Sequence, residues 1–324
     1  MERDAGMILV MGETGVGKST FINALKPNSV EVGHSLKSVQ CRPQAVQIYL
    51  DEDGDSSVTV VDTPGFDDSH RPDSEVLAEI TEFLAAQYAG KIPLKGVIYL
   101  HRIQDNRMKG SARRYLDVFK SICGEEALAN VMLVTTFWNK VPDQELGEYL
   151  RREQELIDDY WAPLQNKGSV IAQFDGSKEA AESLILQLAH HRHPVVLDIQ
   201  RELVDDEKVI SETKAGLGIS ERLEVDLSEW TLSLEKIEVK LAAAQDEEDA
   251  TKIKDLKEEK KEVEKIIKDL ERSKKRMQSR VGNEMKVRFD KERRQRILSN
   301  SVSIFAAVLS ITLTVVKFVA FGGM

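Results

Sequence analysis

Residues 7–20 read MILVMGETGVGKST, and no other stretch of the chain narrows the possible folds as far. Met7 to Met11 is an unbroken apolar run, the pattern of a strand buried on both faces. It leads into Gly12-Glu13-Thr14-Gly15-Val16-Gly17-Lys18-Ser19, a complete G-x-x-x-x-G-K-[ST] pattern set between strand and helix. The three glycines let the backbone curl so that successive N–H groups turn inward as an anion nest. A helix beginning near Lys18, with Phe21, Ile22 and Leu25 on its apolar face, brings the positive end of its dipole to the same point. Lys18 supplies a mobile cation for β- and γ-phosphates, and the Ser19 hydroxyl is placed to ligate Mg²⁺. Residues 12–19 therefore predict a nucleoside triphosphate cradle.

The rest of the chain is read around that cradle. Its 324 residues suffice for one large or two ordinary domains. The net charge of −10 conceals an asymmetry. Residues 1–200 hold 20 Lys+Arg against 30 Asp+Glu, residues 201–250 hold 6 against 15, and residues 251–297 hold 18 against 10. With no basic patch in the globular part, a nucleic-acid role is not expected. Cys41 and Cys123 are the two cysteines; they suit a reducing compartment and are read as isolated thiols. The opening residues, MERDAG, lack the apolar core of a secretory signal.

Strand candidates follow at Ala45–Leu50, Val58–Val61, Gly96–Leu100, Val131–Thr135 and Val170–Phe174, with helices at Ser74–Tyr88, Ser111–Ile122, Gln144–Tyr160 and Lys178–His190. The Asp51–Asp55 run joins the second and third strands as a hairpin. Alternating strands and helices predict an α/β fold, a mostly parallel sheet with helices on both faces and one antiparallel edge. That layout suits a GTPase-type P-loop domain over residues 1–195.

Beyond residue 200 the texture becomes helical. Pro194 is the last proline, and only Gly216, Gly218 and Gly282 precede the tail. Leu227, Trp230, Leu234, Ile237 and Leu241 form a heptad seam, and Leu256, Val263, Leu270 and Met277 recur every seven residues with Ile267 between. A polar stretch, Ala242–Lys252, separates an acidic arm from a basic one. Residues 200–297 are expected to form a coiled coil, either two arms (201–245 and 251–297) folded as a hairpin or one extended dimeric helix.

Asp62-Thr63-Pro64-Gly65 closes the third strand. A carboxylate there can hold a Mg²⁺-bound water, and the Gly65 N–H can meet a γ-phosphate. With the cradle, with Val32-Gly33-His34-Ser35-Leu36, and with His101-Arg102-Ile103 before Gly110-Ser111, this resembles the septin-related, immunity-associated (AIG-type) P-loop GTPases. The resemblance covers roughly residues 5–195; the fungal members with coiled-coil C-termini have the most similar layout. It implies guanine-nucleotide (GTP/GDP) binding, Mg²⁺ dependence held by Ser19 and Asp62, and homodimerisation across the nucleotide face. It further implies that Thr20 contacts the α-phosphate and that the 101–111 box lies near that face. Lys18, Ser19, Asp62 and Gly65 become the catalytic set.

Three departures stand out. Gln40, with Ser38 nearby, occupies the place of a switch threonine. Phe66 follows Gly65 where a water-orienting glutamine is wanted, so hydrolysis is expected to be slow or partner-stimulated. The base-reading segment, Thr135 to Asp143, is either an N-K-x-D element (Asn139, Lys140) with its Asp displaced to 143, or a Thr-Thr-x-Trp-Asp element with Asn139 replacing the Asp. A carboxylate accepts both guanine donors and an amide accepts one, so relaxed base specificity is a consequence of the second. Trp138 is read as either a base-stacking or a core residue. His190, His191 and His193 are read as a solvated helix end, His34 as a phosphate-side or ordinary loop residue, and Asp67 and Asp68 as caps of the next segment.

Val302 to Phe321 is apolar apart from Lys317, with a basic collar at Lys291, Arg293, Arg294 and Arg296. As a helix it would rise about 30 Å, a hydrocarbon core's thickness. The expectation is a tail-anchored protein on the cytoplasmic face of an intracellular membrane. The functional expectation is a GTP-binding switch with slow Mg²⁺-dependent hydrolysis; a non-hydrolysing, oligomerising scaffold and an NTPase of relaxed base specificity are the alternatives.

Overall fold

The computed structural model describes residues 3–30, 43–51, 53, 56–67, 71–105, 108, 110–191, 193–246 and 249–297. Its strands are β1 (Arg3–Gly12), β2 (Gln44–Tyr49), β3 (Ser56–Asp62), β4 (Leu94–Arg102), β5 (Val131–Thr136) and β6 (Val170–Gln173). The α-helices are α1 (Lys18–Leu25), α2 (Asp73–Ala89), α3 (Gly110–Cys123), α4 (Leu146–Leu156), α5 (Ala162–Gln165), α6 (Lys178–Ala189), α7 (Asp198–Gln200), α8 (Lys214–Asp246), α9 (Ala250–Met277) and α10 (Val281–Ile297). The strands form one sheet in the order β2-β3-β1-β4-β5-β6. All neighbours are parallel except the β2–β3 pair at the edge, as the α/β reading expects.

The apolar run of β1 is explained by its central place. Met7, Leu9 and Met11 enter one core with residues of α2 and α3. Ile8 and Val10 enter the opposite core, beneath α1 and α6. With side chains alternating across the sheet, a strand covered on both faces has no position left for a polar residue.

Two local expectations change. The 144–160 helix is interrupted: α4 ends at Leu156, a π-helical turn spans Ile157–Trp161, and α5 resumes with Pro163 in its first turn. Proline has no N–H to donate, which suits a helix start and not a helix interior. The residue before α2 is Pro72 and no side chain caps that helix, so Asp67 is not its cap; it sits in a turn at φ 61°. Asp68 lies outside the described residues, as do His34, Ser38, Gln40 and Cys41.

The arms α8 and α9 pair within one chain. Lys260 reaches Glu238 at 2.6 Å and Lys274 reaches Glu224 at 3.1 Å, so numbering rises on one arm as it falls on the other. Exposed ion pairs of this kind add little; the seam is apolar, built from Ile237, Ala244, Leu256 and Val263 with Leu234, Leu241, Ile253 and Ile267 beside them. Trp230, expected in that seam, is 37% exposed. It falls between the outer half of α8, which packs on α9, and the lower half, where Leu223 turns into the main core.

The second arm is not one helix to residue 297. It breaks after Met277, and α10 returns along α2. Met277, Val281 and Phe289 are buried in the same core as Leu77, Phe119 and Leu133. The stretch between α6 and α8 is buried with them: Leu197, Ile199, Leu203 and Ile210 are fully enclosed, and the Gln200 amide bonds to Gln87. The heptad row Leu256, Val263, Leu270, Met277 thus passes from the arm's own seam into the core under the sheet.

Among the described residues no helix is long and apolar enough to cross a membrane. The expected tail-anchored localisation is corrected accordingly; residues 302–321, on which it and the expected membrane partner rested, lie outside the described residues.

Because Met277 is fully enclosed, Met277→Ala is expected to lower stability by about 2–5 kcal/mol, measured by urea unfolding. Trp230→Ala should change it by less than about 0.5 kcal/mol.

Candidate functional site

The cradle lies where β1 ends and α1 begins. Gly12 adopts φ 145°, and a Cβ there would stand 2.6 Å from the Leu100 carbonyl oxygen, so the turn admits no side chain. Lys18 is buried, and its Nζ donates to the carbonyls of Glu13 at 2.7 Å and Gly12 at 3.1 Å. That curls the ammonium back over the loop. Val16 is buried beneath the loop, while Thr14, Gly15 and Thr20 are exposed on its outer side.

The parallel register of β1 and β3 sets Val10 beside Asp62. Ser19 Oγ then donates to Asp62 Oδ2 at 2.9 Å. A hydroxyl and a buried carboxylate at a helix N-terminus form the hard oxygen donor set that Mg²⁺ favours, with few protein ligands. Thr63 ties the same segment to β1, its hydroxyl donating to the Val10 carbonyl at 2.8 Å. Gly65 presses on the cradle: a Cβ there would lie 2.6 Å from Lys18 Nζ and 2.7 Å from the Thr14 amide. The Thr14 N–H donates to the Phe66 carbonyl at 2.7 Å. Phe66 itself points away, buried and stacked on Tyr115 with ring centroids 5.3 Å apart. The Tyr115 hydroxyl bonds to Asp73 at 2.9 Å, and burial raises that carboxyl above its usual range.

In the segment expected to read the base, Thr135 to Asp143, the Thr136 hydroxyl donates to the Val16 carbonyl at 2.8 Å and so pins the end of β5 to the cradle. Phe137 then turns at φ 66° and lays its ring 3.4 Å from where a Gly17 Cβ would stand. The Arg102 guanidinium lies over that ring at 5.0 Å, which brings this residue of the expected 101–111 box beside the turn. Burial holds the His101 imidazole below its ordinary pKa, favouring the neutral ring. Trp138 is half-buried, its Nε1–H donating to Thr135 Oγ1 at 2.8 Å. Asn139 faces the loop after β6: a Cβ on Gly176 would meet its Nδ2 at 2.7 Å. Lys140 is exposed, and Asp143 opens a separate turn at Asp143–Glu145. Asn139 therefore meets the second loop of this region, and Asp143 lies in the turn that follows.

The AIG1 family model matches residues 6–199, more than half of the chain. This chain belongs to the AIG1 family. Protein peanut of Drosophila melanogaster is 32% identical over 108 residues, 31% of this chain and 20% of that protein. GTP-binding protein A of Dictyostelium discoideum is 27% identical over 139 residues, 42% of this chain and 29% of that protein. The chain thus matches less than a third of either relative's length. Among solved structures, Toc33 from Arabidopsis thaliana in complex with GDP and Mg²⁺ is similar at a TM-score of 0.47 and 18% identity, over 59% of this chain and 87% of that one.

Some residues of this AIG1-family site carried no signal in the sequence. Thr136 matters through its bond to Val16, a partner 120 positions away. Glu153 on α4 is buried against Thr135 at the end of β5, yet reads as one more charge on an amphipathic helix. Asp175, exposed beside Gly176, has its carboxyl held below the usual range by the Ser177 hydroxyl and amide. Two of the histidines at the end of α6 have separate partners: His191 Nδ1 pairs with Asn130 at 2.8 Å, and His190 Nδ1 with the Leu186 carbonyl at 2.6 Å.

Gly65→Ala places a methyl group against Lys18 and Thr14. It is expected to weaken nucleoside triphosphate binding at least tenfold in a fluorescence titration, with the far-ultraviolet spectrum unchanged.

Proposed function

We propose that this chain is a guanine-nucleotide switch that binds GTP and GDP with Mg²⁺ and hydrolyses GTP slowly. The observation that carries this reading is the Ser19–Asp62 hydrogen bond of 2.9 Å beside a buried Lys18. Together they form a cation-and-metal site at the mouth of an anion nest. Ser19 and Asp62 would hold Mg²⁺, which when bound neutralises charge on the β- and γ-oxygens. Lys18 and the amides of residues 12–17 share that charge, and Gly65 brings a backbone N–H to the γ side. Residues 1–195 would carry nucleotide binding, with residues 200–297 as the helical arm. Lys18→Ala is expected to abolish GDP binding in a titration with a fluorescent analogue; wild-type affinity in that variant would end the assignment.

Slow turnover follows from Phe66. It is 3% exposed and packed on Tyr115, so the position after Gly65 offers no group to orient water. The dilute protein is expected to turn over on the order of 10⁻⁴–10⁻² s⁻¹, the range of unstimulated switch GTPases. A homodimer meeting across the nucleotide face would make the rate rise with protein concentration. Single-turnover assays at several concentrations check this. No hydrolysis at any concentration would favour an oligomerising scaffold, and fast turnover at high dilution would reveal a water-positioning group elsewhere.

A second reading, relaxed base specificity, is favoured by Asn139. Its amide offers one acceptor where guanine presents two donors. Competition among GDP, IDP, XDP and ADP separates it from strict guanine recognition.

A further inference from the structure

Glu153 is a buried carboxylate that the phosphate chemistry does not use. It is 7% exposed and projects from α4 into the space between the ends of β5 and β6. Thr135 Oγ1 donates to its Oε1 at 2.5 Å, and Gln173 Nε2 donates to its Oε2 at 2.5 Å. Neither partner is a cation. Withdrawing a carboxylate from water is costly, and the inward face of α4 already carries an aliphatic residue at Leu156. A leucine at 153 would suit packing alone. A buried carboxylate held by two neutral donors calls for a role beyond packing.

Its two partners stand at matching places. Thr135 and Gln173 are register partners across β5 and β6. Gln173 is the last residue of its strand and Thr135 the next-to-last of its own. Thr135 passes the contact forward, because its hydroxyl accepts the Trp138 Nε1–H at 2.8 Å. Asn139 follows Trp138. Gln173 leads into Phe174 and the 175–176 turn, where Gly176 meets the Asn139 amide. One side chain therefore braces both loops that meet at Asn139.

We propose that Glu153 is a positioning residue for base recognition: it sets the turn after β5 and the loop after β6 at the separation that presents Asn139 to a nucleobase. It touches no nucleotide. Its effect runs through Thr135–Trp138 on one side and Gln173 on the other, and leaves the phosphate cradle, fastened independently by Thr136 to Val16, as it is. The inference rests on the nucleotide-binding reading above.

The test compares a ligand with a base and one without. Full-length wild type, Glu153→Gln, Thr135→Val and Thr135→Ser are titrated with GDP and, by displacement, with inorganic pyrophosphate, both with Mg²⁺. Glu153→Gln and Thr135→Val are expected to lose at least tenfold in GDP affinity while pyrophosphate affinity stays within twofold. Thr135→Ser, which keeps the hydroxyl, should retain wild-type affinity for both. Equal losses for the two ligands would reduce Glu153 to a fold-supporting residue and overturn the proposal. So would GDP affinity within twofold of wild type in Thr135→Val, the variant that decides the matter should Glu153→Gln not fold. A wild type that binds neither ligand removes the nucleotide reading and this inference with it. A wild type that binds both, with their ratio unchanged in the variants, removes this inference alone.

Discussion

The register of β1 against β3 is the constraint on which the rest of the site depends. Val10 lies beside Asp62, and the chain leaving β1 must reverse within the cradle to start α1. Only then do Ser19 and Asp62, 43 positions apart, come within 2.9 Å. A parallel pair cannot slip by one residue without turning every side chain to the opposite face. Both faces of β1 are buried against different helices, so the two cores lock the register from both sides. The geometry of the phosphate site is thus a consequence of packing far from any phosphate.

The helical arm is bound to the same framework. Its base is core: Leu223, Met277, Val281 and Phe289 share a cluster with α2 and α3. Above that base a charged layer joins the arm to the segment that follows Gly65. Arg71 reaches Glu79 at 2.7 Å, and Arg276 at the end of α9 reaches Glu79 at 3.7 Å and Glu82 through two bonds of 3.1 Å. Burial raises the Glu79 carboxyl and the two guanidiniums oppose that shift. Such a layer adds little to stability, since desolvation offsets most of the attraction, but it fixes where the arm's base sits. Between α2, α3 and α8 it leaves a cleft of about 470 Å³, close to Asp67 and Tyr115.

Much was legible in the residues themselves, for reasons of local chemistry. The glycine spacing and the lysine of residues 12–19, the Asp-Thr-Pro-Gly turn, the all-apolar strands and the heptad rows each encode a structure in neighbouring positions. Their elements stand close to where periodicity put them. Asn139 and Asp143 could both be named as candidates for reading a base, because the motif around them is contiguous. What stayed open was which of the two patterns the segment follows; the approach of Asn139 to Gly176 joins residues far apart in the chain and is written in neither pattern.

Tertiary structure decided the remainder because the deciding contacts join residues far apart in the chain. A heptad row states that a helix has an apolar side and not what covers it. Ile237 is covered by α9, Met277 by the core of the sheet, and Trp230 is left partly exposed between the two. Glu153 has the appearance of a solvated charge until α4 lays it across the ends of β5 and β6. Phe66 reads as a missing glutamine; the stack on Tyr115 makes it a core residue. By itself the sequence determined the nucleotide cradle, the α/β order and the presence of long helices, all of which follow from spacing and side-chain type. The surfaces those helices cover, the loop that Asn139 faces and the burial of Glu153 were set only when distant segments packed together, since burial and hydrogen-bond partners are properties of the assembled core.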